Sequence, residues 1–146
     1  MSPSRLTLGI TEAFQSLRGM LEKATEMGGR PIAVVVCDDR GIVVCRAAMA
    51  GVNAALARQN AFKKAYTSAV MRVDTLEFAE RVSAMPDRLA TFGNANLFAG
   101  GGGAVLIAED GTILGGIGVS GRTNEEDEAI AQHGKSAVAD ILQAAK

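Results

Sequence analysis

The sequence predicts an α+β fold, an antiparallel sheet that carries helices. Three observations predict it. Two pairs of β-branched runs are each joined by a short turn ending in glycine, which is hairpin chemistry. Three stretches repeat apolar residues at the helical period of three and four. The elements alternate as helix, hairpin, helix, hairpin, helix, without the βαβ crossovers that a parallel sheet requires.

From Leu6 to Met27, Ile10, Ala13, Phe14, Leu17, Leu21 and Ala24 mark one helix face, Gly28-Gly29 stops the helix, and Pro31 resets the chain to extended. Ile32–Cys37 and Ile42–Cys45 flank the turn Asp38-Asp39-Arg40-Gly41 and make the first hairpin. Residues Ala54 to Arg72 form the next helix, with Ala57, Ala61, Ala65 and Ala69 stacked into a smooth ridge that can lie close against a sheet. Asp74 to Leu89 reads as a short helix and loop broken at Pro86, and Thr91 to Gly103 as irregular. The second hairpin joins Ala104–Ala108 to Thr112–Val119 through Glu109-Asp110-Gly111. A last helix starts near Asn124. Thr123 and Glu126 fit a capping box ahead of an apolar stripe at Ile130, Gly134, Ala137, Val138, Ile141 and Leu142.

Composition narrows the function classes. With 146 residues, 48% hydrophobic and 21% charged, one domain spanning 1–146 has material for a core. Fifteen Lys and Arg against sixteen Asp and Glu leave a net charge of −1, so no basic field invites nucleic acid or anionic lipid. The start Met1-Ser2-Pro3-Ser4-Arg5 lacks a signal-peptide core, and no run reaches the roughly 18 apolar residues of a membrane helix. A soluble, cytoplasmic protein is expected. Cys37 and Cys45 fall out of register in either common hairpin pairing, so two buried thiols are expected rather than a disulfide.

Two phosphate motifs are decoys. Gly116-Ile117-Gly118-Val119-Ser120-Gly121 spells GxGxxG, but only a helix follows it, and a dinucleotide fold needs another strand bearing an acid. Close backbone packing and a strand exit explain these glycines better. Gly134-Lys135-Ser136 resembles the tail of a Walker A loop, yet Ala129 replaces its first glycine and a helix already uses the N–H groups.

Other residues carry candidate chemistry. Gly100-Gly101-Gly102-Gly103 requires positive φ or close backbone approach, to a neighbouring element or to a ligand. Asn60, Lys64, Thr67 and Ser68 form a polar strip beside the alanine ridge, where Lys64 either snorkels outward or is desolvated into a base or anion clamp. His133, the sole histidine, precludes a histidine-cluster metal site but leaves a single axial ligand or a proton donor. Asp127 and Glu128 complement the dipole of the last helix. Arg122 stands at the mouth of that helix, where an anion would meet free N–H groups.

Taken in order, Val36-Cys37-Asp38, Gly41, Lys64–Ala69, Thr75, Gly101-Gly102-Gly103, Gly116–Gly121 and Asp127–Ala131 resemble the GlcG/HbpS family over almost the whole chain. The resemblance implies a profilin-like α+β fold, with a central antiparallel sheet of about five strands flanked by helices, assembled into homo-oligomers. Family members include haem-binding sensors, a glycolate-operon protein, a domain attached to corrinoid adenosyltransferases, and lyases for aromatic hydroxylamines. Fold alone does not choose among them.

The chain departs from the family at Arg46-Ala47-Ala48-Met49-Ala50-Gly51, where relatives carry an aspartate, and at Gly103-Ala104-Val105, which replaces "GGGxP". Two function classes stand. The first is an accessory protein binding a small anionic ligand, or haem or another tetrapyrrole, with Asn60, Lys64, Thr67, Gly101, Gly102, Gly103 and Arg122 as ligand-binding residues. Haem would take His133, a tyrosine or a methionine as axial ligand. The second is a cofactor-free lyase for a small aromatic hydroxylamino or hydroxy acid. There Lys64 or Arg122 holds a carboxylate, and Tyr66 or His133 moves a proton. No metal site is expected beyond haem iron.

Overall fold

The computed structural model describes residues 7–53 and 55–139, so Leu6, Ala54, Ile141 and Leu142 of the expected helices lie outside the described residues. In chain order the elements are α1 (Ile10–Met27), β1 (Ala33–Asp38), β2 (Val43–Ala48), α2 (Leu56–Met71), α3 (Thr75–Ser83), α4 (Arg88–Thr91), β3 (Gly103–Ile107), β4 (Ile113–Ser120) and α5 (Asn124–Ser136). The strands form one sheet of order β2-β1-β4-β3 with every neighbouring pair antiparallel. Each expected hairpin is present. In the first turn Asp38 Oδ1 accepts from the Arg40 and Ile42 amides, and in the second Asp110 Oδ1 accepts from Thr112, so the two turns share one chemistry.

The strand count corrects an expectation of about five: four strands occur among the described residues. The stretch 94–98 is irregular, as expected, and side chains take part of its backbone groups. Thr67 Oγ1 accepts from Phe98 N at 2.8 Å and donates to Asn96 O at 3.3 Å, while Asn94 Oδ1 accepts from Asn96 N.

Alternation along β1 divides the core. Val34 and Val36 face α1 and α5, together with Ile117 and Val119 of β4, whereas Ala33, Val35 and Cys37 face α2. On the α2 side the alanine ridge is buried and the facing positions of β4 are Gly116 and Gly118. A Cβ on Gly118 would strike Ala61 O and sit 2.6 Å from Ala65 N. The first two GxGxxG glycines therefore bring helix and sheet backbones together, the third lies against the Pro31–Ile32 backbone, and the alanine ridge is used up inside the chain.

Helix α1 is rotated from its expected face. Ala13, Ser16, Gly19, Met20 and Ala24 are its buried residues, whereas Ile10 and Phe14 are each 52% exposed. The short side chains let α5 approach, and Ser16 Oγ donates to Gly134 O at 2.9 Å. The α5 cap forms as expected: Thr123 Oγ1 accepts from Glu126 N and donates to the Glu126 carboxylate. Cys37 is buried and Cys45 half-buried, both as free thiols, with Cys37 opposite Val43 and Cys45 opposite Val36. Burial pushes the Cys37 thiol up to about 12, aided by the Asp38 charge, which leaves it inert at neutral pH. No helix among the described residues is long and apolar enough to cross a membrane.

Candidate functional site

The chain builds two distinct polar regions. The first lies under the glycine loop, where α2, β4 and α5 converge. Lys64 is buried one turn along from Ala61 because its helix face meets the sheet. Its ammonium donates to Val119 O at 2.8 Å and to Asp127 Oδ2 at 3.1 Å, and it lies 5.1 Å from the centroid of the Phe98 ring. Asp127 is also buried and accepts from the Arg122 amide through Oδ1 at 3.2 Å. Burial lowers the Lys64 pKa, an effect that attraction to Asp127 opposes. Burial likewise raises that of Asp127, opposed by Lys64 and by the Arg122 amide.

The glycine loop closes over this pair. Gly102 has φ of +107°, and a Cβ there would come within 2.9 Å of Lys64 Nζ and 2.7 Å of Val119 O. Its neighbours are tied by side chains: Gly101 N donates to Asn124 Oδ1, Gly102 N to Glu128 Oε1 and Gly103 N to Thr75 Oγ1. Next to Thr75, Asp74 Oδ1 accepts from Val105 N and pairs with Lys135 at 3.3 Å, while Oδ2 accepts from Gln132. Each of these polar groups has a partner within the chain.

The remaining expected site residues are dispersed. Thr67 is fully buried and its hydroxyl is committed to the 96–98 segment, while Asn60 is half-buried on α2. The Tyr66 hydroxyl accepts from Asn94 Nδ2 at 3.1 Å, its ring lying against Phe62 and under Gly41. Arg122 fastens the end of α1, donating from Nε to Arg30 O at 2.7 Å and from Nη2 to Ala24 O at 2.9 Å. Its Nη1 is enclosed and has no partner. Lys64, the glycine loop and the Arg122 amide thus come together around Asp127. Asn60, Tyr66 and His133 do not join them.

Asp127 and Asp74 are the residues that sequence reasoning missed. For Asp127 a signal existed: it stands three, four and seven residues before Ile130, Ala131 and Gly134, which puts it on the buried stripe of α5 rather than on its solvated side. Asp74 offered none, since its partners come from β3 and the far end of α5.

The second region is an open groove between α1 and α5. Thr11, Phe14, Gln15, Arg18, Glu22 and His133 border a volume of ≈ 540 Å³. Gly19 forms the narrow point, its missing side chain admitting Ala137. His133 is exposed, so its imidazole is accessible from solvent. The four-residue spacing of Phe14, Arg18 and Glu22 aligns an aromatic ring, a cation and an anion along one α1 face. Among the described residues no group of three or more His, Cys, Asp or Glu is placed to hold a bare metal ion.

Comparisons with known proteins agree on this fold. The PduOC–haem complex is 28% identical, with a TM-score of 0.81 covering 90% of this chain and 95% of that one. A double mutant of Streptomyces reticuli HbpS is 25% identical, with a TM-score of 0.82 over 94% of this chain and 90% of that chain. Klebsiella pneumoniae protein ORFY, 23% identical with a TM-score of 0.83 over 93% of both chains, shares the fold. No significant match exists among curated proteins. Residues 8–136 match the family described as "Haem degrading protein HbpS-like", and the chain belongs to that HbpS-like family.

Proposed function

We propose that the protein is a haem-binding accessory protein and that the α1–α5 groove holds the haem. The observation that carries the reading is the likeness to the PduOC–haem complex over 90% of the chain. The groove residues fit the group. His133 offers an accessible imidazole, Phe14 an exposed aromatic face and Arg18 a guanidinium for a propionate, around a volume of ≈ 540 Å³. Bound haem supplies a redox-active iron in a conjugated macrocycle. The protein's part is to ligate through His133, shield one face with Phe14 and neutralise a carboxylate with Arg18.

The groove is open on one side, and a second copy of the chain is the proposed cover. Light scattering of the haem-loaded protein then gives a mass above that of one chain. No observation favours the lyase reading, since Lys64, Tyr66 and His133 do not share a cavity.

Titration of the purified protein with haemin tests the proposal. A Soret shift that saturates at a defined stoichiometry is expected, and His133→Ala should change its position and weaken binding. A shift that never saturates would overturn haem binding. Saturable binding with an unaltered spectrum in His133→Ala would remove His133 as the ligand.

A further inference from the structure

A separate cavity lies at the opposite side of the sheet. Helix α2 packs over β1, β4 and β3, while α1 covers β2 from the other face. The α2-side face of the edge strand β2 is consequently left largely uncovered, and a cavity of ≈ 180 Å³ opens there. Register pairs Ala48 with Ala33 and Arg46 with Val35, which puts these side chains on the α2 side of the sheet. The floor is therefore small and apolar. Arg58 and Phe62, one turn apart on α2, form the wall.

Two arginines thus border one cavity with an apolar floor. Among the described residues the side chains of Arg46 and Arg58 make no ion pair or hydrogen bond, whereas those of Lys64, Lys135 and Arg122 are engaged within the chain. Both are exposed, so their charge is fully available. Two like charges at one cavity rim repel each other, and a carboxylate between them removes that repulsion while accepting forked N–H bonds. The volume lies below the roughly 300 Å³ at which drug-sized pockets begin, which suits a small molecule and leaves no room to enclose a tetrapyrrole.

We propose that this cavity binds a small carboxylate with a flat apolar body, of benzoate size, separately from the haem groove. The carboxylate lies against Arg46 and Arg58. The body rests on Ala33, Val35 and Ala48 and against the Phe62 ring.

The test is a titration of the full chain with benzoate, followed by calorimetry and by amide chemical shifts, with benzyl alcohol and acetate as partial probes. Saturable benzoate binding is expected, with shifts in β2 and the first turns of α2. Each partial probe should bind at least about tenfold more weakly, because it lacks the charge or the body. Arg46→Gln and Arg58→Gln should each weaken benzoate about tenfold, and Ala48→Leu, which fills the floor, should abolish binding. As both arginines are exposed, their variants should melt as wild type does and keep the wild-type Soret titration, which separates this site from the haem reading. Absence of saturation, or benzoate affinity unchanged in both arginine variants, overturns the proposal. So does a doubled mass with β2 amides protected whether or not benzoate is present, which would assign the edge to a second copy of the chain.

Discussion

The region under the glycine loop and the groove between α1 and α5 are both polar, and both take residues from α5, yet they are organised in opposite ways. In the first, Lys64 and Asp127 are 3% and 2% exposed and are held by each other, by Val119 O and by the Arg122 amide. In the second, His133 is exposed and Phe14 is 52% exposed with no partner helix over it. A buried charge without a partner costs several kcal/mol, so an interior lysine is held by its surroundings before any ligand arrives. An accessible imidazole has no such debt. The contrast separates polar residues that hold the fold from polar residues free to meet a ligand.

The sharpest way to break the first region is to strand one of its charges. Asp127→Asn removes the charge facing the buried Lys64 ammonium, and its single amide oxygen cannot accept from both Lys64 and the Arg122 amide, so a loss of about 3–5 kcal/mol is expected in denaturant unfolding. The double change Lys64→Met with Asp127→Leu should recover most of that loss, because an apolar pair carries no desolvation penalty. A double variant no more stable than Asp127→Asn would mean that the ion pair stabilises by attraction rather than by mutual compensation.

The pH response of the two single variants should have opposite signs. In Lys64→Met, burial raises the Asp127 pKa without its cation, so the folded state holds the proton more tightly than the unfolded state. Stability is then full below the ordinary carboxyl value and falls as pH rises through the raised one. In Asp127→Asn, burial lowers the Lys64 pKa, so the unfolded state binds more protons and stability climbs with pH towards the ordinary lysine range. Melts from about pH 4 to 9 would show both slopes. Slopes of one sign would contradict this account of the pair.

Smaller effects follow from the same comparison. Gly118→Ala pushes a methyl into Ala61 O and should lift α2 from the sheet at a cost of about 3 kcal/mol. Thr75→Val keeps the shape but deprives the buried Gly103 amide of its acceptor, for about 1–2 kcal/mol. At the other extreme, His133→Ala should leave the melting curve within about 0.5 kcal/mol of wild type while altering the haem titration. A large stability loss in that variant would place His133 with the structural residues.

Much of the fold was legible along the chain because its signals are local. Each hairpin turn carries an aspartate that accepts a backbone amide within the turn and ends in a positive-φ glycine, and Thr123 with Glu126 marks the start of α5, so boundaries there need no distant partner. Helix α1 is the instructive exception. Its periodicity allowed a face containing Phe14, but close contact with α5 selected the face with Ser16, Gly19 and Met20, since Gly134 and Ala137 accept only small or flexible neighbours there.

The sequence by itself determined the α+β class, both hairpins, the alanine ridge, the capped last helix and the family, because periodicity, turn chemistry and an ordered set of motifs are written over short spans. Tertiary structure alone decided which polar residues meet. Lys64 reaches Asp127 across 63 positions, Asp74 reaches Lys135 across 61, and Arg122 reaches Ala24 across 98. Those pairings depend on sheet order and on how α2 and α5 pack against the sheet, and neither is encoded in the spacing of any one element.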